Sequence, residues 1–259
     1  MVVFGAIAPH GDPVFVDGSP TRLAFEELAR RFSDSHPRVT VVLTPHNVHV
    51  QGSFAVVTAA TIAGSLVEQG IDLACAVDRE LADEILRSLQ MHGLPAVGIS
   101  FGSNDLALAE MPMDWGTLIP LWFLGGQADE PCPVVVVSPA RDLSLDDHVL
   151  AGRAIAAACE GRRAAVVASA DHGHAHDPEG PFGFDPASAK YDAGVVELVF
   201  ANRLQDALAL ETIVEAASAD SLWQLVMLHG ALGDDFRAEL LSYERPTYFG
   251  MLVAAFEPV

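Results

Sequence analysis

The sequence predicts an α/β fold: a single three-layer αβα domain over residues 1–259, with a mostly buried central sheet and a site at the carboxyl ends of its strands. Three observations predict it. Strand-length runs such as Val2–Ala8, Val39–Thr44, Pro133–Ser138 and Ala164–Ser169 are almost wholly apolar, as strands covered on both faces are. Segments with helical periodicity separate them. Histidines recur just beyond the strand ends.

Taken in order, Val2–Ala8 reads as a buried strand that ends at Pro9. Ser19-Pro20 supplies an N-cap and a first-turn proline, and Leu23, Phe25, Leu28 and Phe32 give the helix that follows an apolar side. Val39–Thr44 is a second strand ending at Pro45, and Phe54–Ala60 a third. Asp78–His92 is helical through Leu81, Ile85 and Leu89 and stops at Gly93. Val97–Ser100 is a short strand and Pro133–Ser138 a buried one. Ser144 with Asp147 resembles a capping box and opens a helix running to Gly161. Ala164–Ser169 is a strand, Lys190–Ala209 a helix that Leu210–Ala217 extends, Ser221–His229 another helix, and Tyr248–Phe256 the final strand.

The totals bound the function. The 259 residues are 51% hydrophobic and 19% charged, a globular composition. A net charge of −21 repels phosphate backbones and anionic lipid, which argues against nucleic-acid and membrane partners. The three cysteines, Cys75, Cys132 and Cys159, form no CxxC pair and read as buried thiols in a reducing, cytoplasmic setting. The first residues lack a basic segment, so they read as a core strand rather than a signal peptide.

The ten histidines are the informative feature. His10 follows the first strand in Ala8-Pro9-His10-Gly11, His46 follows the second in Thr44-Pro45-His46-Asn47, and His172 follows a later one in Ser169-Ala170-Asp171-His172. Carboxyl ends of strands line the ligand crevice of α/β sheets, so these side chains can converge. Two histidines and one carboxylate on a divalent metal leave open positions for substrate and oxygen. Spacing does not choose the carboxylate: Glu244, just before the last strand, competes with Asp12, Asp114 and Asp171. His36, His92, His148 and His229 sit at helix ends or turns, where capping explains them. His49, His174 and His176 neighbour the candidate site without a defined role.

The segments APHGDP (8–13), TPHNVHVQGSFAVV (44–57), MDWGTLIPL (113–121), SADHGHAH (169–176), GPFGFDPASAKYD (180–192) and YERPTYFG (243–250) resemble the class III extradiol ring-cleavage dioxygenases. More narrowly, they resemble the catalytic B (beta) subunit of the protocatechuate 4,5-dioxygenase type. The resemblance implies an αβα fold and one non-haem Fe(II), with Mn or Zn suited to the same donors. It implies a catechol- or aminophenol-type aromatic substrate, O2, and a homo-oligomer or a complex with a small partner subunit. By motif position, the ligands correspond to His10, His46 and Glu244 and the acid–base histidine to His172. His49, Trp115 and Tyr243 are placed to bind substrate. One position departs from the family pattern: Trp115 stands where relatives carry a histidine in Asp-His-Gly-x-x-x-Pro-Leu. An indole stacks or donates one hydrogen bond but carries no proton near neutrality. That departure supports one rival reading, a non-enzymatic member that binds metal and ligand; a partner-dependent member and a Zn-dependent hydrolase using the same ligands with His172 as base are the others.

Overall fold

A computed structural model describes residues 1–259. The first apolar run forms β1 (Val2–Ala8), and α1 (Pro20–Asp34) follows, with the Ser19 hydroxyl accepting from the Arg22 N–H at its start. Then come β2 (Val39–Leu43), β3 (Phe54–Val57), β4 (Thr61–Leu66), β5 (Ile71–Ala76), α2 (Arg79–Met91) and β6 (Ala96–Ile99). Next are β7 (Glu110–Pro112), α3 (Trp115–Leu121), β8 (Val134–Ser138), α4 (Leu145–Ala158) and β9 (Ala164–Ser169). The chain ends with α5 (Pro186–Phe200), α6 (Glu211–Val214), α7 (Leu222–Leu232), β10 (Phe236–Glu244) and β11 (Met251–Pro258).

Eight strands form one mixed sheet in the order β10-β11-β1-β9-β2-β8-β3-β6. Its centre, β1-β9-β2-β8, is parallel. These four strands are buried on both faces, which is why they are continuous apolar runs. On β1, Ile7 faces a core built with α2, α4, α5 and α7, while Phe4, Ala6 and Ala8 face one built with α1, α3 and a second sheet, β5-β4-β7. The architecture is therefore the expected α/β one, a large central sheet flanked by helices.

Several details differ from the sequence expectation. The helix expected at Lys190–Ala209 begins earlier, at Pro186, with Asp185 as its cap, and breaks at Asn202, whose φ is +55°. Leu23, assigned to the buried side of α1, is exposed. The antiparallel hairpin β10–β11 was not expected as a pair; it shields β1 from solvent at one edge. No helix is long and apolar enough to cross a membrane.

The helix carrying the end of the site is held by close contact. α7 crosses α4 where Gly152 meets Gly230: a Cβ on Gly152 would lie 2.0 Å from the Met227 carbonyl oxygen, and one on Gly230 would lie 2.1 Å from that of Val149. Only glycine allows the two backbones this approach.

Candidate metal centre

β1, β9 and β2 are adjacent and parallel, so the residues just past their carboxyl ends meet. His10 Nε2 and His46 Nε2 lie 2.9 Å apart, with the two rings edge to face. Asp220 joins them: its Oδ2 is 3.3 Å from His46 Nε2. One ligand atom from each of the three falls within 4.8 Å of the others.

The surroundings orient these donors. The Ser169 hydroxyl donates its single proton to the Gly116 carbonyl, so toward His10 it can only accept. The His10 Nδ1–H therefore donates to Ser169 Oγ, 2.9 Å away, and the lone pair sits on Nε2, facing His46. Burial pushes the His10 imidazole down to about 3, against the pull of Asp220, so it is neutral. Burial raises Asp220, but the His46 hydrogen bond and the fields of His10 and His174 outweigh it and hold the carboxyl below its usual range. Asp220 Oδ1 is enclosed without a partner. Two imidazole nitrogens, one fixed as a lone-pair donor, and an ionised carboxylate with a spare oxygen are a donor set that fits a divalent first-row metal.

Outer contacts fix the loops. Asp171 accepts the His10 backbone N–H at 3.1 Å, and burial holds its carboxyl well above the usual range. Asp114 caps α3 and accepts from Thr44 Oγ1 (2.9 Å), Thr117 N–H (2.9 Å), Thr117 Oγ1 (2.7 Å) and Asn47 Nδ2 (3.3 Å). It is thus occupied in bracing the His46 loop. A Cβ on Gly116 would sit 2.8 Å from Thr44 Oγ1 and 3.1 Å from His46 Cδ2, so the backbone passes directly under the His46 ring.

The centre opens into a cavity of about 1420 Å3. His10, His46, His49, Trp115, Asp171, His174, Asp220, Phe182, Tyr248 and Phe249 are among its walls. Trp115 is 52% exposed and leans on His46, ring centroids 4.5 Å apart. His174 stacks on Phe249 at 5.4 Å and meets Phe182 edge on.

Three of the expected site residues lie apart from this centre or its cavity. Glu244 is not beside His10 and His46. It ends β10, the edge strand, separated from β1 by β11, and there its Oε2 accepts from the Thr21 N–H (2.7 Å) and Thr21 Oγ1 (2.6 Å) at the start of α1. The carboxylate at the centre is Asp220. His172 is fully buried and does not line the cavity: its Nδ1 bonds Ser221 Oγ at 3.0 Å and its Nε2 has no partner. His174, two residues on, faces the cavity instead. Tyr243 is also outside it; its hydroxyl donates to Asp192 Oδ2 at 2.7 Å. Asp192 further accepts from Gly173 N–H (2.7 Å) and pairs with His176 Nε2 (2.8 Å), clamping the turn that bears His174.

Asp220 escaped sequence reading because it follows no strand. It precedes α7, where an aspartate would be taken for a cap, yet no side chain caps α7. One signal was available: Ser218-Ala219-Asp220 repeats the Ser169-Ala170-Asp171 tripeptide of the other wall, before a helix buried nearly all round.

Comparison with known proteins finds relatives of the chain. A Clostridium acetobutylicum protein, Protein CA_C1420, is 24% identical over 234 residues, 86% of this chain and 49% of the relative, so the chain spans about half the length of the curated relative it matches. Among solved structures, the uncharacterized protein JW3007 from Escherichia coli K12 superposes with a TM-score of 0.67 at 14% identity, covering 98% of this chain and 99% of its own, which shows a shared fold. Residues 9–254 match the family described as the catalytic LigB subunit of aromatic ring-opening dioxygenase, and the chain belongs to that family.

Proposed function

We propose that the chain opens an aromatic ring with O2, acting on a catechol- or aminophenol-type substrate at an iron(II) ion held by His10, His46 and Asp220. The convergence of these three side chains on the wall of an aromatic-lined cavity carries the reading. A divalent ion there would acidify a coordinated hydroxyl and offer open positions to substrate and O2.

The chain's own residues supply the rest. His174 takes a proton from the substrate hydroxyl and returns it to oxygen as the ring opens, since it is a cavity-facing imidazole beside the donor set. Trp115, leaning on His46, forms an aromatic wall for the ring, and Phe249 and Tyr248 form another. His49, exposed on the rim, hydrogen-bonds substituents. Because indole neither accepts nor releases a proton near neutrality, Trp115 leaves proton transfer to His174.

The test is O2 consumption by anaerobically purified, Fe(II)-loaded protein against a panel of catechols and aminophenols. One O2 should be consumed per substrate, giving a yellow ring-opened product, and Zn(II)-loaded protein should be inert. Silence across the panel with metal bound would overturn the reading, and hydrolysis by the Zn(II) form would favour the hydrolase. His174→Gln should keep the metal and lose turnover; an unchanged rate would remove His174 from the reaction.

A further inference from the structure

Far from the metal centre, the segment from Ser88 to Ala109 runs from the last turn of α2 through β6 to the residue before β7. It holds a single Asp, Glu, Lys or Arg, the carboxylate of Asp105, although 19% of the chain is charged. Met91, Val97, Phe101, Leu106 and Leu108 are exposed within it. An uncharged segment with this many exposed apolar side chains marks a contact face rather than a solvated one.

β6 is also the last strand of the large sheet. The carbonyls of Pro95 and Ile99 accept from the N–H groups of Phe54 (2.9 Å) and Thr58 (2.8 Å) on the β3 side. By strand alternation the Gly98 N–H and C=O point the other way, where the sheet has no further strand. The opposite edge is defended. β10 carries Arg237, Glu239 and Glu244, and α1 packs beside it, with Arg31 Nη1 2.8 Å from Glu239 Oε2. Charge and cover of this kind stop an edge from pairing with another chain. β6, Ala-Val-Gly-Ile, contains neither charge nor proline. Pro95 precedes it, but its carbonyl faces β3, so it blocks none of the outward groups.

Charge decides what covers this edge. At −21, two copies of the chain repel over most directions of approach, and the neutral face is where they can meet. A basic partner would gain from acidic surface instead and finds no complement here. The edge is also self-complementary. Turned by a two-fold axis, β6 meets its own copy antiparallel, with Gly98 opposite Gly98 and Val97 of one copy beside Ile99 of the other.

We infer that the chain dimerises with a second copy of itself by pairing the β6 edges, which joins the two large sheets into one continuous sheet. The two Gly98 residues exchange N–H to C=O hydrogen bonds at the axis, and Val97 and Phe101 of both copies supply the apolar contact beside them. The inference is independent of the reaction proposed above.

Sedimentation velocity of the full chain over a concentration series, with amide exchange on the same samples, tests it. The wild type should pass from monomer to dimer as concentration rises, and added salt should tighten the dimer by screening the like charges. The Gly98 amide should be protected in the dimer and exchange freely on dilution. Val97→Glu enters a two-fold interface twice and should weaken dimerisation at least about 100-fold, about 10-fold per copy, with the circular dichroism of the monomer unchanged. Phe101→Ser, in the loop beyond the strand, should weaken it without altering the sheet. Leu23→Glu, at an exposed apolar residue of α1, should leave the dimer intact. A chain that stays monomeric at every concentration and salt level, a dimer that survives both Val97→Glu and Phe101→Ser, or a dimer in which Gly98 exchanges freely would overturn the inference.

Discussion

Replacing Glu244 by alanine separates the two carboxylates that could complete the centre. In the structure Glu244 Oε2 accepts from Thr21 N–H at 2.7 Å and from Thr21 Oγ1 at 2.6 Å, in the first turn of α1. The substitution removes a cap interaction of about 0.5–2 kcal/mol and a favourable charge at the helix N-terminus of about 0.3–1 kcal/mol. Glu244 is half-buried, so solvent screens part of the charge effect. A net loss of roughly 1–3 kcal/mol corresponds to a melting point lower by roughly 2–12 °C for a chain of this size. Calorimetry of the metal-free protein reads the stability, and elemental analysis after metal loading reads the site. Glu244→Ala should melt early and bind metal as the wild type does. Normal melting with loss of metal would refute the reasoning and return Glu244 to the ligand set.

Gly116→Ala would drive a Cβ to 2.8 Å from Thr44 Oγ1 and 3.1 Å from His46 Cδ2, and should cost roughly 1–3 kcal/mol and weaken metal binding, measured by melting and by metal competition. Asp192→Asn removes the charged acceptor shared by Gly173, His176 and Tyr243; it should speed amide exchange across 172–176 and lower turnover more than metal content. His148 is buried, bonds the Ser144 carbonyl at 2.7 Å and is held below its usual pKa by burial. A histidine lowered on folding stabilises above its unfolded pKa of about 6.5 and loses that contribution as pH falls below it. His148→Phe should therefore reduce the slope of stability against pH below 6.5 by up to about 1.4 kcal/mol per pH unit, read by denaturation at stepped pH. Trp115→Ala should raise KM for aromatic substrates more than it lowers kcat, read from steady-state rates.

The parts of the fold legible in the sequence are those whose burial is uniform. β1, β2, β8 and β9 are covered on both faces, so their apolar runs announce them. β10 is a half-exposed edge strand carrying Arg237, Glu239 and Glu244, and it shows neither a continuous apolar run nor clean alternation. β5 does alternate, buried then exposed, but Ala74 and Ala76 on the exposed side blur the pattern. At the centre, His10 and His46 were readable because each follows a parallel strand directly. Glu244 was placed at the correct end of the sheet: its register partner Met251 begins β11, which runs antiparallel to β1. Position along the sheet does not reveal lateral order, and the hairpin carries Glu244 outward to α1. His172 and His174 differ by two residues in an irregular turn. Which of them faces the cavity depends on the Asp192 clamp and the Ser221 bond, both from distant segments.

X-ray absorption of the Fe(II)-loaded wild type and Asp220→Asn protein, with metal content measured on the same samples, tests the metal centre most directly. The wild type should hold about one metal per chain, with two imidazoles and oxygen donors in its shell. Asp220→Asn should lose metal affinity by more than the roughly 10–100-fold typical of an outer-shell change. A shell without two imidazoles, or an Asp220→Asn protein with undiminished metal and the same shell, would contradict the assignment of His10, His46 and Asp220.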